Sequence, residues 1–475
     1  MIAPQLAAWA VGPLSIPDEV THAALRHLLD GLGNAVAGAR AGAALPALTV
    51  ATGLGGPAEA TILGTTTRVS APAAGLANGT LVHALDFDDT HAGGLVHSTA
   101  VVLPAALAVG EQVGASGREV LEAAVVGYEI ACRVAAAAPN GFHAGGLHAT
   151  MVAGVFSSAA VAARLMGLDA ATTTHALGIA GSQAGGLLAF LATGASTKQL
   201  HPGFASQSGI LAARLAAAGA TGPETVFDGP HGVYDALAPA SVVAGRVDRD
   251  VLLRDLGSSD PAGWETTRIG IKPWPTCQLA HVSMAAAQLA LADSGAGAAD
   301  ILALRARVHP DSASVVCAAD RDLTRPASGY AAKFSLPWSV AAILIDGTVG
   351  VDTYAETNLA RTDIAELAAR VTWETTAGTG VAADAAGDVE ITLRDDRTVV
   401  GRLERSPGGG SNPLSEEELA TKFAGNVGEL AEDLASAVRA LPDAADLTLL
   451  LTLAARAVTD PDSSSSSSSS LEAPA

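Results

Sequence analysis

Leu25, Leu28, Leu29, Leu32 and Val36 recur at helical spacing behind Pro17-Asp18-Glu19, a group suited to a helix first turn. The same period predicts helices over 73–83, 99–113, 119–137 and 150–166, the last of them stopped at Gly167. Asp169 is placed to cap a further helix reaching about residue 179, and 207–218 makes another. Glycine-punctuated stretches at 181–186 and 194–203 read as loops. Up to about residue 260 no segment alternates well enough to be a strand.

The period then changes. Alternation over 302–309, 370–374 and 388–393 predicts strands, and the last returns through 398–403 across Asp395-Asp396 as a hairpin. An apolar helix over 335–346 lies among them, and Ser415 with three glutamates behind it opens another helix. The fold class is therefore mainly α with an α+β second domain. A helical domain occupies 1–264, an α+β domain 265–405, and helices over 406–460 rejoin the first. The octaserine tract at 463–470 is too polar and repetitive to pack, so 461–475 reads as a disordered tail.

Composition narrows the picture. The 475 residues are 49% hydrophobic but only 4% aromatic, so alanine, leucine and valine supply the core, as closely packed helices require. The apolar run 101–109 contains Pro104 and falls short of the roughly 20 residues that span a bilayer. Residues 1–17 lack a basic n-region, and Cys132, Cys277 and Cys317 form no disulfide framework or metal-ligand spacing. A cytoplasmic protein without a membrane partner is expected. The net charge of −21 argues against nucleic acid and makes positive groups informative. Of 27 basic residues only four are lysine: Lys198, Lys272, Lys333 and Lys422. A GC-rich coding sequence explains the arginine excess; where lysine persists, a shiftable pKa can matter.

Polar chemistry is concentrated in five islands. In the first, Asp86, Asp88, Asp89, Thr90, His91 and His97 crowd a chain otherwise rich in alanine and glycine. Such a cluster is costly to bury unless its members pair with one another or with a ligand. On a helix Asp86, Asp89 and Thr90 would share a face, with Asp88 turned away. A self-capped helix end, a divalent-ion site (Asp86, Asp89, His91, His97) and an active-site wall all fit. The second island carries His143 and His148 in a glycine-rich loop before a helix, where a neutral imidazole can act as base. The third, 193–203, lacks Walker spacing, but Thr197, Lys198 and His201 suit a carboxylate. The fourth holds Lys272 between a helical half and an α+β half, with Pro273 and Pro275 fixing an extended backbone. In the fifth, Lys333 reads as a surface cap or ion pair, with Trp338 beyond it.

Read together, the segments HALDFDDTH, GYEIACR, GLDAATTTHALGIAGSQAGGL, TGASTKQLHPGFASQSG, FDGPHGVYDAL, IKPWPTCQLAH, AKFSLPWSVAAILIDG and PGGGSNPLSEEELATKFAGN resemble, in order, the signatures of the MmgE/PrpD family. That family includes 2-methylcitrate dehydratases, cis-aconitate decarboxylases and iminodisuccinate epimerase. The resemblance implies a helical domain built from both chain ends, an inserted α+β lid, a cleft between them and a homodimer. It implies a small di- or tricarboxylate substrate and proton transfer beside a carboxylate, with no cofactor and no metal. Carried over singly, Asp86, His97, His148, Lys198 and Lys272 take catalytic roles, and Thr90, His91, His143, Thr197, His201 and Trp338 contact substrate. His143 is a rival to His148, because GFHAGGLHAT has two histidines where one is usual. Trp338 stands where tyrosine is frequent, which would remove a pocket hydroxyl. Decarboxylation, dehydration and epimerisation share one carbanion step, and the acidic segment leans toward a decarboxylase or epimerase. A metal enzyme and a non-catalytic helical interaction protein are the alternatives.

Overall fold

The helix Asp18–Arg40 starts behind Pro17 with two acidic residues in its first turn and buries Leu28, Leu32 and Val36, as the spacing predicts. In the computed structural model, which describes residues 1–459, it belongs to a bundle with Ala71–His83, Thr99–Val113, Gly117–Ala136, Ala149–Leu165, Ala170–Gly181 and Thr197–Ala217. The expected serine tail lies outside the described residues. Ser116 and Glu119 form a reciprocal capping box, and Asp169 accepts the Thr172 N–H. One hydrophobic cluster runs from Ala3 to Ile269 and resumes with Phe423, Val427, Leu434 and Leu450, so the C-terminal helices pack back on the bundle.

The bundle is tight because small residues line its crossings. Ala71–His83 and Thr197–Ala217 meet backbone to backbone at Gly79 and Gly203. A Cβ on Gly79 would stand 2.7 Å from the Gly203 nitrogen, and one on Gly203 would collide with the Leu76 carbonyl. Gly79→Ala is therefore expected to destabilise the protein by about 1–3 kcal/mol in chemical denaturation, because a main-chain neighbour cannot swing aside. Alanine's propensity gain of about 1 kcal/mol within a helix does not offset that overlap.

A second hydrophobic cluster runs from Cys277 to Leu393. It is built on a four-stranded sheet in the order Val371–Thr375, Ile301–Val308, Gly387–Leu393, Thr398–Leu403. The first pair is parallel (Leu304 opposite Val371) and the others antiparallel (Ala306 opposite Val389, Val389 opposite Gly401). Val389, Ile391 and Leu393 point inward in strict alternation, and Gln278–Ala292 packs beneath them, close enough that Gly401 meets the Ala286 carbonyl. Leu336–Asp346 packs against that helix in turn.

Three expectations need correction. The segment 194–203 is not a loop throughout: helix begins at Thr197 and carries Pro202 in its second turn. There the missing N–H removes one bond, and Gly203 is needed for the close crossing rather than for a bend. Asp86, Asp89 and Thr90 share no helical face, because the helix ends at His83 and Asp86 adopts a left-handed φ of 52°. Short strands also occur before residue 260: Ala60–Thr61 pairs with Arg68–Val69, and Thr90–His91 pairs with Ile269–Gly270. The second ladder ties the acidic segment to the stretch that carries Lys272. Among the described residues no single helix is long and apolar enough to cross a membrane.

Candidate active site

Residues 84–89 leave the helix at His83 without joining another element until Thr90, so their buried backbone carbonyls need donors from elsewhere. Lysine supplies them. Lys272 Nζ donates to the Asp86 main-chain oxygen and to Asp86 Oδ1, both at 2.9 Å, and Lys198 Nζ donates to the same Oδ1 at 2.8 Å. Lys333 donates to the Leu85 carbonyl at 2.8 Å and to the Pro275 carbonyl at 2.6 Å. Lys422 donates to the Phe87 carbonyl at 2.8 Å and pairs with Asp30 at 2.6 Å. All four lysines of the chain thus converge on three consecutive residues.

The expectation of a surface role for Lys333 is corrected by that arrangement: its side chain is buried over the Tyr354 ring, and burial pulls its pKa down to about 7. Lysine rarity marked the position, but the local sequence reads as an ordinary helix end. Burial alone would raise Asp86, yet Lys198 and Lys272 hold its carboxyl well below the usual range. In return Asp86, outweighing burial, keeps Lys272 above its ordinary value, so this buried site is ionised.

Imidazoles form the opposite wall. His97 Nδ1 lies 2.7 Å from the Asp89 carbonyl, an acceptor only, which places the proton on Nδ1 and leaves Nε2 with a lone pair. The Thr90 hydroxyl lies 3.3 Å from the same Nδ1, and the His97 N–H donates to Thr150 Oγ1 at 3.1 Å. His148 is the N-cap residue of Ala149–Leu165, and its Nδ1 sits 3.1 Å from Nδ1 of His201. Its ring stands 5.8 Å from that of His97. Burial, opposed by Asp88 and assisted by Lys272 and Lys198, holds His97 well below its ordinary pKa. Burial and then Lys198 do the same to His148.

A cavity of about 290 Å³ is lined by Asp86, Thr90, His97, His143, His148, Lys198 and Lys272, with Phe190, Leu188 and Phe334 as apolar wall. Both rival histidines therefore reach it. His143 is half-buried and meets His148 edge-on at 6.0 Å. His201 stands behind His148 rather than on the wall. The other expected contacts lie elsewhere. His91 hydrogen-bonds Glu265 at 2.8 Å, Thr197 is exposed at the start of its helix, and Trp338 is buried against Tyr354. No pocket hydroxyl is at stake at position 338.

Asp88 and His83 were not assigned roles from sequence. Asp88 is fully buried and accepts from His83 Nδ1 at 2.8 Å, and the His83 ring lies 4.7 Å from that of His97, tilted by 52°. Burial would raise Asp88, but His83 and His97 beside it hold it well below the usual carboxylate range. Only its place in HALDFDDTH marks His83. Asp89, by contrast, turns away to accept the Thr99 N–H and hydroxyl at a helix start, and burial pushes it up to about 7. The ion-binding set suggested by sequence is thus regrouped. Among the described residues, the groups whose donor atoms gather are His83, His97 and His148, and His83, Asp86, Asp88 and His97.

The chain is similar to cis-aconitate decarboxylase of Aspergillus terreus, at 26% identity over 441 residues, covering 88% of this chain and 87% of that protein. It is similar to the cis-aconitate decarboxylases of Homo sapiens (29% over 405 residues) and Mus musculus (30% over 404 residues), each match covering 80% of this chain and 78% of the relative. Residues 5–244 match the MmgE/PrpD N-terminal domain and residues 274–443 the MmgE/PrpD C-terminal domain. With both halves matched in order, the chain belongs to the MmgE/PrpD family.

Proposed function

We propose that this protein is a cofactor-independent lyase that decarboxylates a small unsaturated tricarboxylate of the cis-aconitate type. One observation carries the reading: two ammonium groups fixed on Asp86 face an imidazole wall across a buried cavity of small-molecule size. In the hydrogen bonds above, Lys272 uses two of its three N–H donors on Asp86 and Lys198 one, leaving three for a substrate carboxylate. The named activity of the curated relatives supports the same class.

The chemistry is a single electron-pair shift. The bond from the saturated carbon to its carboxylate breaks and releases carbon dioxide. The pair moves through the neighbouring double bond, giving a carbanion delocalised onto a remaining carboxylate. Lys198 and Lys272 stabilise that charge, and preorganised donors of this kind are worth about 10²–10³ in rate each. One proton from an imidazole then completes the product, so a trianion and a proton yield a dianion and carbon dioxide. His97 and His148 are the groups placed for this transfer. Asp86 holds the lysines, and the Asp89 carbonyl fixes the His97 tautomer.

Proton NMR in deuterated buffer with a panel of small di- and tricarboxylates tests the proposal. The expected result is loss of the cis-aconitate olefinic signal and growth of an exomethylene product carrying one deuterium. Loss or gain of water, or α-proton exchange without carbon dioxide release, would replace the decarboxylase reading with the dehydratase or epimerase one. No change in any substrate would overturn the lyase reading itself.

A further inference from the structure

The wall opposite the lysines holds more lone pairs than the reaction uses. His83 Nε2 and Asp88 Oδ1 on that wall, and Asp86 Oδ2 beside the lysines, are buried and have no hydrogen-bond partner; His83 meets Asp88 through Nδ1, so its neutral ring offers a lone pair at Nε2. One ring nitrogen each of His83, His97 and His148 lies within 4.8 Å of the other two. Each ring is also anchored through Nδ1, which leaves Nε2 for an ion: His83 by the Asp88 carboxylate, His97 by the Asp89 carbonyl, His148 by His201. Imidazoles that bind a metal are oriented in this way, by a carboxylate or carbonyl on the far nitrogen.

We propose that His83, His97 and His148 form a site for a borderline-soft divalent ion, Zn²⁺ first among them, and that the bound ion inhibits the enzyme. Three imidazoles with an open fourth position are a set that zinc takes tetrahedrally. At zinc–nitrogen distances of about 2.0–2.1 Å, the ring centroids of such a set stand about 5 Å apart. Here they stand at 4.7, 5.8 and 5.8 Å, so a small inward turn of His148, the ring farther from the other two, completes the geometry. The carboxylates of Asp86 and Asp88 offset the repulsion of Lys198 and Lys272. The ion would occupy the His97 and His148 lone pairs that must carry the proton. The inhibitory half of the proposal rests on the lyase reading; the binding half does not.

The test is a titration of the chelator-treated full-length protein with Co²⁺, read by its visible absorption, followed by displacement with Zn²⁺. His83→Asn keeps a donor for Asp88 while deleting the free nitrogen. Asp88→Asn removes only the orienting charge, and melting curves confirm that each variant is folded. The wild type is expected to bind one Co²⁺ with tetrahedral bands. Asp88→Asn should weaken binding by about 10–100-fold and His83→Asn by more. Zn²⁺ should abolish turnover of cis-aconitate, and a chelator should restore it. Binding no stronger in the wild type than in His83→Asn would overturn the site. Tight binding with undiminished turnover would overturn the inhibition. If no carboxylate is turned over at all, the lyase reading fails while the spectroscopic titration still decides the metal.

Discussion

Lys272→Met is expected to remove turnover and destabilise the protein together, and adding Asp86→Asn is expected to lower the stability further without returning any activity. Lys272 is fully buried and neutralises a carboxylate that is itself fully buried. Without it Lys198 still faces the Asp86 carboxylate, but the buried Asp86 main-chain oxygen loses its donor, and leaving such an acceptor unsatisfied costs about 1–3 kcal/mol. Asparagine at position 86 then removes the charge that Lys198 pairs with and leaves that buried ammonium uncompensated, a further loss of up to about 3–5 kcal/mol. It also tolerates the left-handed backbone that Asp86 adopts, so the second substitution adds little strain. Activity behaves differently, because stabilisation of the carbanion needs the ammonium whether or not Asp86 is charged. A loss of at least about 10²-fold in kcat/KM is expected for the single variant and the double one alike. Urea denaturation and steady-state kinetics on the three proteins separate the two effects. If the single variant lost stability but kept its activity, Lys272 would be a structural counter-ion and nothing more.

The elements that sequence made legible are those decided by local chemistry. Helical spacing located the bundle within a few residues, and alternation located the hairpin that became Gly387–Leu393 and Thr398–Leu403. Asp169 and Ser415 each cap a helix by accepting the N–H three positions on, a signal that lies within one turn of sequence. What local pattern could not supply was the path of a turn stabilised from a distance. The acidic segment looked like a helix end because its donors come from residues 198, 272, 333 and 422, more than a hundred positions off. Its irregular backbone is permissible only because those ammonium groups satisfy it, which is why the reading of Lys333 and the path of the segment were missed together. The loop reading of 194–203 fails for a related reason: the helix there is held by packing at Gly203 against a partner helix, a contact that propensity does not register.

The same long-range dependence explains why the site residues were more visible than their partners. Lys198, Lys272, His97 and His148 sit in polar islands that contrast with an alanine-rich background. His83 ends a wholly buried helix and gains its meaning only from Asp88, across a turn whose geometry the sequence does not announce.

His97→Asn is expected to lower kcat by about 10²–10⁴-fold, the usual contribution of a positioned proton-transfer group, with KM changed only a few-fold. Asparagine retains a donor where His97 Nδ1 meets the Asp89 carbonyl, so the turn should survive while the lone pair at Nε2 is lost. Carboxylate binding falls to Lys198 and Lys272, which the substitution leaves in place. The pH dependence supplies a second readout. In the free enzyme burial, opposed by Asp88 but assisted by Lys272 and Lys198, holds His97 well below 6.5, and burial with Lys198 holds His148 there too, so both rings are neutral at pH 7. A bound polyanion favours the charged imidazole and raises those values. Between the low free-enzyme pKa and the raised one in the complex, binding must therefore take up protons, and affinity must weaken as pH rises through that window. Calorimetry at pH 7 with propane-1,2,3-tricarboxylate, which lacks the double bond and is not turned over, in two buffers of different ionisation enthalpy measures the uptake directly. The wild type should take up a proton, and His97→Asn should take up measurably less. Equal uptake in the two proteins would remove His97 from the proton path and pass its role to His148.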